Sequence, residues 1–103
     1  VFDVALDLRR NSKTFLEWYS VILTPEKYNS IIIPPGVAHG FQTLKENSEL
    51  LYLHTQNYSP RDEFGVSFLD PRANIKWPQP QTQISDRDLS FEPLSNEFLG
   101  YNL

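Results

Sequence analysis

Apolar and polar residues alternate in steps of two from the first residue. In Val1-Phe2-Asp3-Val4-Ala5-Leu6-Asp7-Leu8, Phe2, Val4, Leu6 and Leu8 share one face and Asp3 and Asp7 take the other. An extended backbone points successive side chains to opposite sides, so this pattern is that of a half-buried strand. Arg9 to Lys13 is polar and reads as a turn. Thr14 to Leu23, rich in β-branched and aromatic residues, predicts a second strand. Thr24 to Asn29 is a loop or a short helical turn with Pro25 at its start. Ile31 to Ile33 predicts a short, fully buried strand, stopped by Pro34-Pro35-Gly36. His39 to Leu44 predicts another strand, Lys45 to Ser48 a polar link, and Glu49 to Tyr58 the longest alternating strand. No long amphipathic helix, internal repeat or low-complexity tract interrupts the series. Short strands between frequent turns predict an all-β sandwich or barrel.

From Ser59 onward five of the eight prolines cut the chain into short extended pieces. The 103 residues therefore read as one domain, 1–103, with a core over 1–59 and a proline-rich tail over 60–103. The strands are too few to close an eight-stranded barrel by themselves. The sequence also lacks methionine and opens inside an alternating run. Residue 1 is therefore expected to lie in mid-domain, with further strands upstream or supplied by a partner.

Composition narrows the function. Hydrophobic residues make up 40% and aromatic residues 14%, enough to build a core and to exclude disorder. A formal charge of -4 excludes a general nucleic-acid-binding surface, which needs a basic stripe. Without cysteine there are no disulfides and no thiolate metal sites, which fits a cytoplasmic protein. No apolar run approaches the roughly 20 residues of a membrane span, so no membrane partner is expected.

Three groups of residues could carry chemistry. In Pro34-Pro35-Gly36-Val37-Ala38-His39-Gly40-Phe41 a rigid turn delivers a histidine to the start of a strand, beside a glycine that leaves space. His39 is either a ligand-facing residue or a core histidine bonded to backbone. A metal site needs three or four protein ligands, and His39 and His54 are the only histidines, so no metal is expected. In Leu50 to Tyr58, spacing of two puts Tyr52, His54 and Gln56 on one face and Leu51, Leu53 and Thr55 on the other. A tyrosine on a polar pocket wall is a plausible general acid for reprotonating a carbanion or enolate. The alternative is an amphipathic strand residue with its hydroxyl in water. In the tail, Ser85-x-x-Asp88 has the spacing of a helix N-cap.

Taken together, several segments resemble the dTDP-4-dehydrorhamnose 3,5-epimerase family. They are Val1-Phe2-Asp3-Val4-Ala5-x-Asp7-Leu8-Arg9, Thr14-Phe15, Ile33-Pro34-x-Gly36-x-Ala38-His39-Gly40-Phe41 and Leu51-Tyr52. The series continues with Tyr58-x-Pro60, Glu63, Asp70-Pro71, Ile75-x-Trp77-Pro78 and Ser85-x-x-Asp88. They occur in family order over nearly the whole chain. The resemblance implies a double-stranded β-helix of the cupin type, incomplete at its N-terminal side. It implies a homodimer that inverts C3 and C5 of a dTDP-4-keto-6-deoxyhexose in deoxysugar biosynthesis, without metal or organic cofactor. Tyr52 is implied as the acid that reprotonates the sugar, and Asp88 as the carboxylate that orients the catalytic base. His39 and Glu63 are implied on the substrate side, and Tyr58 and His54 are expected beside them.

Two features depart from that pattern. The family's base is a histidine in an Arg-Gly-x-His context on an earlier strand, and this chain contains no such motif. The chain alone is therefore expected to be weakly active or inactive. Where the family usually has lysine and then a small residue after the tyrosine, this chain has Leu53 and His54. Histidine ordinarily titrates near neutral pH, so His54 is either a substitute base or a displaced pocket residue. Two other readings remain open at this level: a non-catalytic cupin module that binds a sugar or nucleotide, and a cupin sugar-nucleotide ketoisomerase.

Overall fold

The computed structural model describes residues 1–54 and 64–102. Three strands form one antiparallel sheet: β1 (Phe2–Asp7), β2 (Trp18–Ile22) and β3 (Val37–Gln42), in the order β2-β1-β3. The only helix among the described residues is α1 (Asp86–Leu89). The all-β class expected from the alternation therefore holds.

The central strand β1 is buried on both faces, where the alternation predicted a half-buried strand, because Asp3 and Asp7 are covered as well. Phe2, Val4, Leu6 and the following Leu8 are 2–7% exposed and face the core. Each such apolar side chain taken from water contributes roughly 1.5–3 kcal/mol. Leu6 and Leu8 pack with Ala73 from the tail, flanked by Leu16, Trp18, Ile75, Leu94 and Phe98. The tail is thus the cover of this sheet face. Trp77 meets Phe2 edge to face, with ring centroids 5.7 Å apart, and its Nε1 donates to the Phe68 carbonyl at 2.8 Å. The chain end is pinned by backbone bonds: Tyr101 N–H donates to Leu8 O at 2.7 Å and Arg10 N–H to Tyr101 O at 2.8 Å.

Strand limits differ from the sequence expectation where side chains capture the backbone. β2 starts at Trp18 rather than Thr14, because residues 12–17 turn around the buried Asp7. Its carboxylate accepts from Arg9 N–H, Arg9 Nε and Nη2, Ser12 Oγ and Thr14 Oγ1. Leu16 then takes φ 64° and returns the chain to pair with β1. Residues 24–29 form a turn closed by Asn29, whose amide side chain bonds Thr24 N–H and Ile22 O. Ile31 to Ile33 is not a buried strand. It pairs with nothing among the described residues, and Ile32 is 93% exposed. Of the strand expected over Glu49 to Tyr58, Leu51 to His54 runs outside the sheet, and residues 55–58 lie outside the described residues. Both segments have strand-like sequences, and neither pairs with the sheet among the described residues.

β3 begins at Val37 because the turn before it is built for that exit. Val37 N–H donates to Pro34 O at 3.3 Å, and Gly36 has φ 84°. Proline followed by glycine at positive φ is the type II arrangement, which a side chain at the glycine would strain. Gly36 O then accepts from Leu8 N–H at 3.0 Å and ties the turn to the end of β1.

Candidate active site

The polar face of β1 becomes a site through its register with β3. Asp3 lies opposite Phe41 and Ala5 opposite His39. Cross-strand partners share a sheet face, and diagonal neighbours lie within reach of a long side chain. The small Ala5 leaves room, and the His39 ring leans diagonally to Asp3. Its Nε2 bonds Asp3 Oδ2 at 3.0 Å and lies 2.8 Å from Oδ1. Asp3 is only 1% exposed. Oδ1 accepts no hydrogen bond among the described residues, so the close approach of the ring nitrogen is what offsets its burial. With Nε2 committed to the carboxylate, Nδ1 is the ring nitrogen left to meet a ligand.

Tyr52 stands over this pair. Its ring meets His39 edge to face with centroids 5.5 Å apart and an interplanar angle of 71°. It also contacts Phe41 at 6.1 Å and stacks on His54 at 6.0 Å. Burial, and secondarily the negative charge of Asp3, raises the Tyr52 pKa above its ordinary value. The phenol therefore keeps its proton at neutral pH, the state an acid needs before it donates. Asp3, His39, Tyr52 and His54 all border an open cavity of about 1320 Å³. Ile22, Ile33 and Pro34 supply apolar wall between them.

Asp88 is placed elsewhere. It caps nothing itself; its backbone N–H donates to Ser85 Oγ at 3.1 Å, the N-cap geometry that the Ser-x-x-Asp spacing suggested. Its side chain is exposed and borders a second cavity of about 750 Å³, lined by Val4, Gly40 and Trp77 on the core-side face of the sheet. His39 borders both cavities at the sheet edge. Glu63 and Tyr58 lie outside the described residues. Among the described residues, no three His, Asp or Glu side chains gather as a metal-binding group. Among the described residues, no helix is long and apolar enough to cross a membrane.

Asp3 is the site residue that sequence reasoning missed. Alternation puts it on the polar face of β1, but only the β1–β3 register shows that a histidine faces it. A carboxylate in mid-strand, flanked by buried positions, was the available signal.

The dTDP-4-dehydrorhamnose 3,5-epimerase family model matches residues 1–96. The dTDP-4-dehydrorhamnose 3,5-epimerase of Salmonella typhimurium is 42% identical over 100 residues, covering 96% of this chain and 54% of the relative. That of Shigella flexneri is 40% identical over 90 residues, covering 87% of this chain and 50% of the relative. The crystal structure of dTDP-6-deoxy-D-glucose-3,5-epimerase from Legionella pneumophila, in complex with dTDP-4-keto-L-rhamnose, superposes with a TM-score of 0.73. The two share 34% identity over 96% of this chain and 55% of that one. The chain thus spans about half the length of the curated relatives it matches. Its sheet is an incomplete part of a cupin-type double-stranded β-helix. The chain belongs to the dTDP-4-dehydrorhamnose 3,5-epimerase family.

Proposed function

We propose that the protein carrying this chain is a sugar-nucleotide 3,5-epimerase acting on a dTDP-4-keto-6-deoxyhexose, and that this chain supplies the acid side of its site. The observation that carries the reading is the contact of a protonated Tyr52 with His39, itself held by Asp3. A 4-keto group acidifies the C–H bonds at C3 and C5, so removing a proton leaves an enolate on which charge gathers at the ketone oxygen. His39, whose Nε2–H donates to Asp3, offers Nδ1 as an acceptor to a neighbouring sugar hydroxyl. Tyr52 returns a proton to the carbon from its own side, and inversion follows when removal occurs from the opposite side.

The base belongs to the part of the relatives' length that this chain does not span, since no Arg-Gly-x-His is present. Glu63 and Tyr58 are assigned to the nucleotide-sugar side of the site, and Asp88, which borders the second cavity with His39, is assigned to orienting the base. The complex of the Legionella relative with dTDP-4-keto-L-rhamnose supports the substrate class. Incubation of the protein carrying this chain with dTDP-4-keto-6-deoxyglucose in heavy water tests the reading. Deuterium at C3 and C5 of an inverted product is expected; a substrate recovered without deuterium rejects it.

A homodimer is part of the same proposal. Leu51, Leu53 and Ile32 are 85–93% exposed, and both sheet edges are open. Such surface invites pairing with a second copy. Light scattering should give a dimer mass, and a monodisperse monomer contradicts it.

A further inference from the structure

Tyr52 faces a difficulty that its own neighbours create. Tyr52 is 42% exposed, and its covered part, with the charge of Asp3 second, disfavours the phenolate left once its proton is given away. The side chain that contacts the ring and can offset this is His54. It follows Tyr52 by two residues in a segment outside the sheet and lies against the tyrosine ring. The rings stack with centroids 6.0 Å apart and planes 24° from parallel, within the range where a cation is attracted to an aromatic face. The imidazole is exposed, so it exchanges protons freely with water.

We propose that His54, as an imidazolium, is a positioning residue that stabilises the phenolate formed when Tyr52 donates its proton. The inference rests on the reading of Tyr52 as the acid. In the step concerned, the Tyr52 O–H bond breaks and its proton forms the new C–H bond of the sugar, the electron pair coming from the enolate. The phenolate keeps the O–H pair, His54 keeps its proton throughout, and water restores the phenol after product leaves. The charged groups around the pair suit a cation there. Asp3 and His39 face Tyr52 from β1 and β3, and Glu26, Glu46 and Glu49 border the cavity. Against them stand Lys45 and the amino group of Val1, and the latter is bonded to Leu23 O.

Two measurements test this. The first does not depend on turnover: the His54 imidazole is titrated by NMR, assigned with His54→Gln, in the wild type and in Tyr52→Leu. Losing the ring should lower its midpoint, because the aromatic face no longer favours the cation; an unchanged midpoint overturns the stack as a charged contact. The second compares His54→Gln and His54→Lys in the protein carrying this chain. The glutamine variant should lose about tenfold in kcat with little change in KM, and lose the loss-of-activity limb above neutral pH. The lysine variant should recover most of kcat and extend it to higher pH. Glutamine equal to wild type, or lysine no better than glutamine, overturns the inference alone. A wild type with no epimerase activity overturns the reading of Tyr52 and this inference with it.

Discussion

Asp3 holds Nε2 of His39 between its two carboxylate oxygens, at 2.8 and 3.0 Å, from a central strand position that is 1% exposed. A buried carboxylate is costly unless a partner compensates it, and here the partner is the histidine that faces the cavity. The pair therefore fixes which ring nitrogen is free and where the ring stands. Neither role is visible from either strand alone.

Asp3→Asn keeps the volume and removes the charge. The ring loses its fixed orientation, and turnover by the protein carrying this chain should fall about 10²-fold with a smaller change in KM. Steady-state kinetics on the 4-keto sugar checks this, with the far-ultraviolet spectrum confirming the fold. Unchanged kcat would remove the pair from the mechanism.

Gly65 lies directly beneath Phe91: a Cβ built there would stand 1.9–2.4 Å from the ring carbons. Gly65→Ala should therefore displace the ring and destabilise the protein by roughly 1–3 kcal/mol. The paired variant Gly65→Ala/Phe91→Ala should lose less than the two single costs added together. Urea unfolding of the four proteins measures the coupling, and strict additivity would mean that the two residues do not touch.

Acid stability should depend on Asp7. The Arg9 side chain, then Ser12 and Thr14, hold its carboxyl well below the usual carboxylate range, against the opposing effect of burial. A folded-state pKa below the unfolded one gives stability that is fully present above the unfolded value. That stability is lost as pH falls from about 4, where an unfolded aspartate titrates, towards the lower folded value. Asp7→Asn should lower stability at neutral pH and flatten this acid slope. Urea midpoints measured from neutral pH to about pH 2 show it; a parallel slope in the variant contradicts it.

The sequence carried the central strand and the turn at Pro34-Pro35-Gly36, and each has a local cause. Alternation in β1 is unambiguous because both ends of the pattern are buried, and Gly36 needs its positive φ. The partner of His39 was not legible, because register is a long-range property. Ile31 to Ile33 misled because three β-branched residues satisfy strand propensity without a strand to pair with, and the exposure of Ile32 shows propensity overruled by context. The start of β2 was misjudged because the capture of Ser12 and Thr14 by Asp7 outweighs their preference for extended backbone. Placing Asp88 on the core-side cavity reflects the short helix that Ser85 caps, a local effect that a family pattern does not encode.

The most direct test follows a labelled substrate through Tyr52→Phe in the protein carrying this chain. The variant should still exchange hydrogen at C3 or C5 with heavy water while retaining the starting configuration, because the base can remove and return protons without the phenol. Inverted product should fall by at least about 10²-fold. Inversion at the wild-type rate would contradict the assignment of the phenol as the acid and leave the Asp3–His39–Tyr52 cluster without its proposed task.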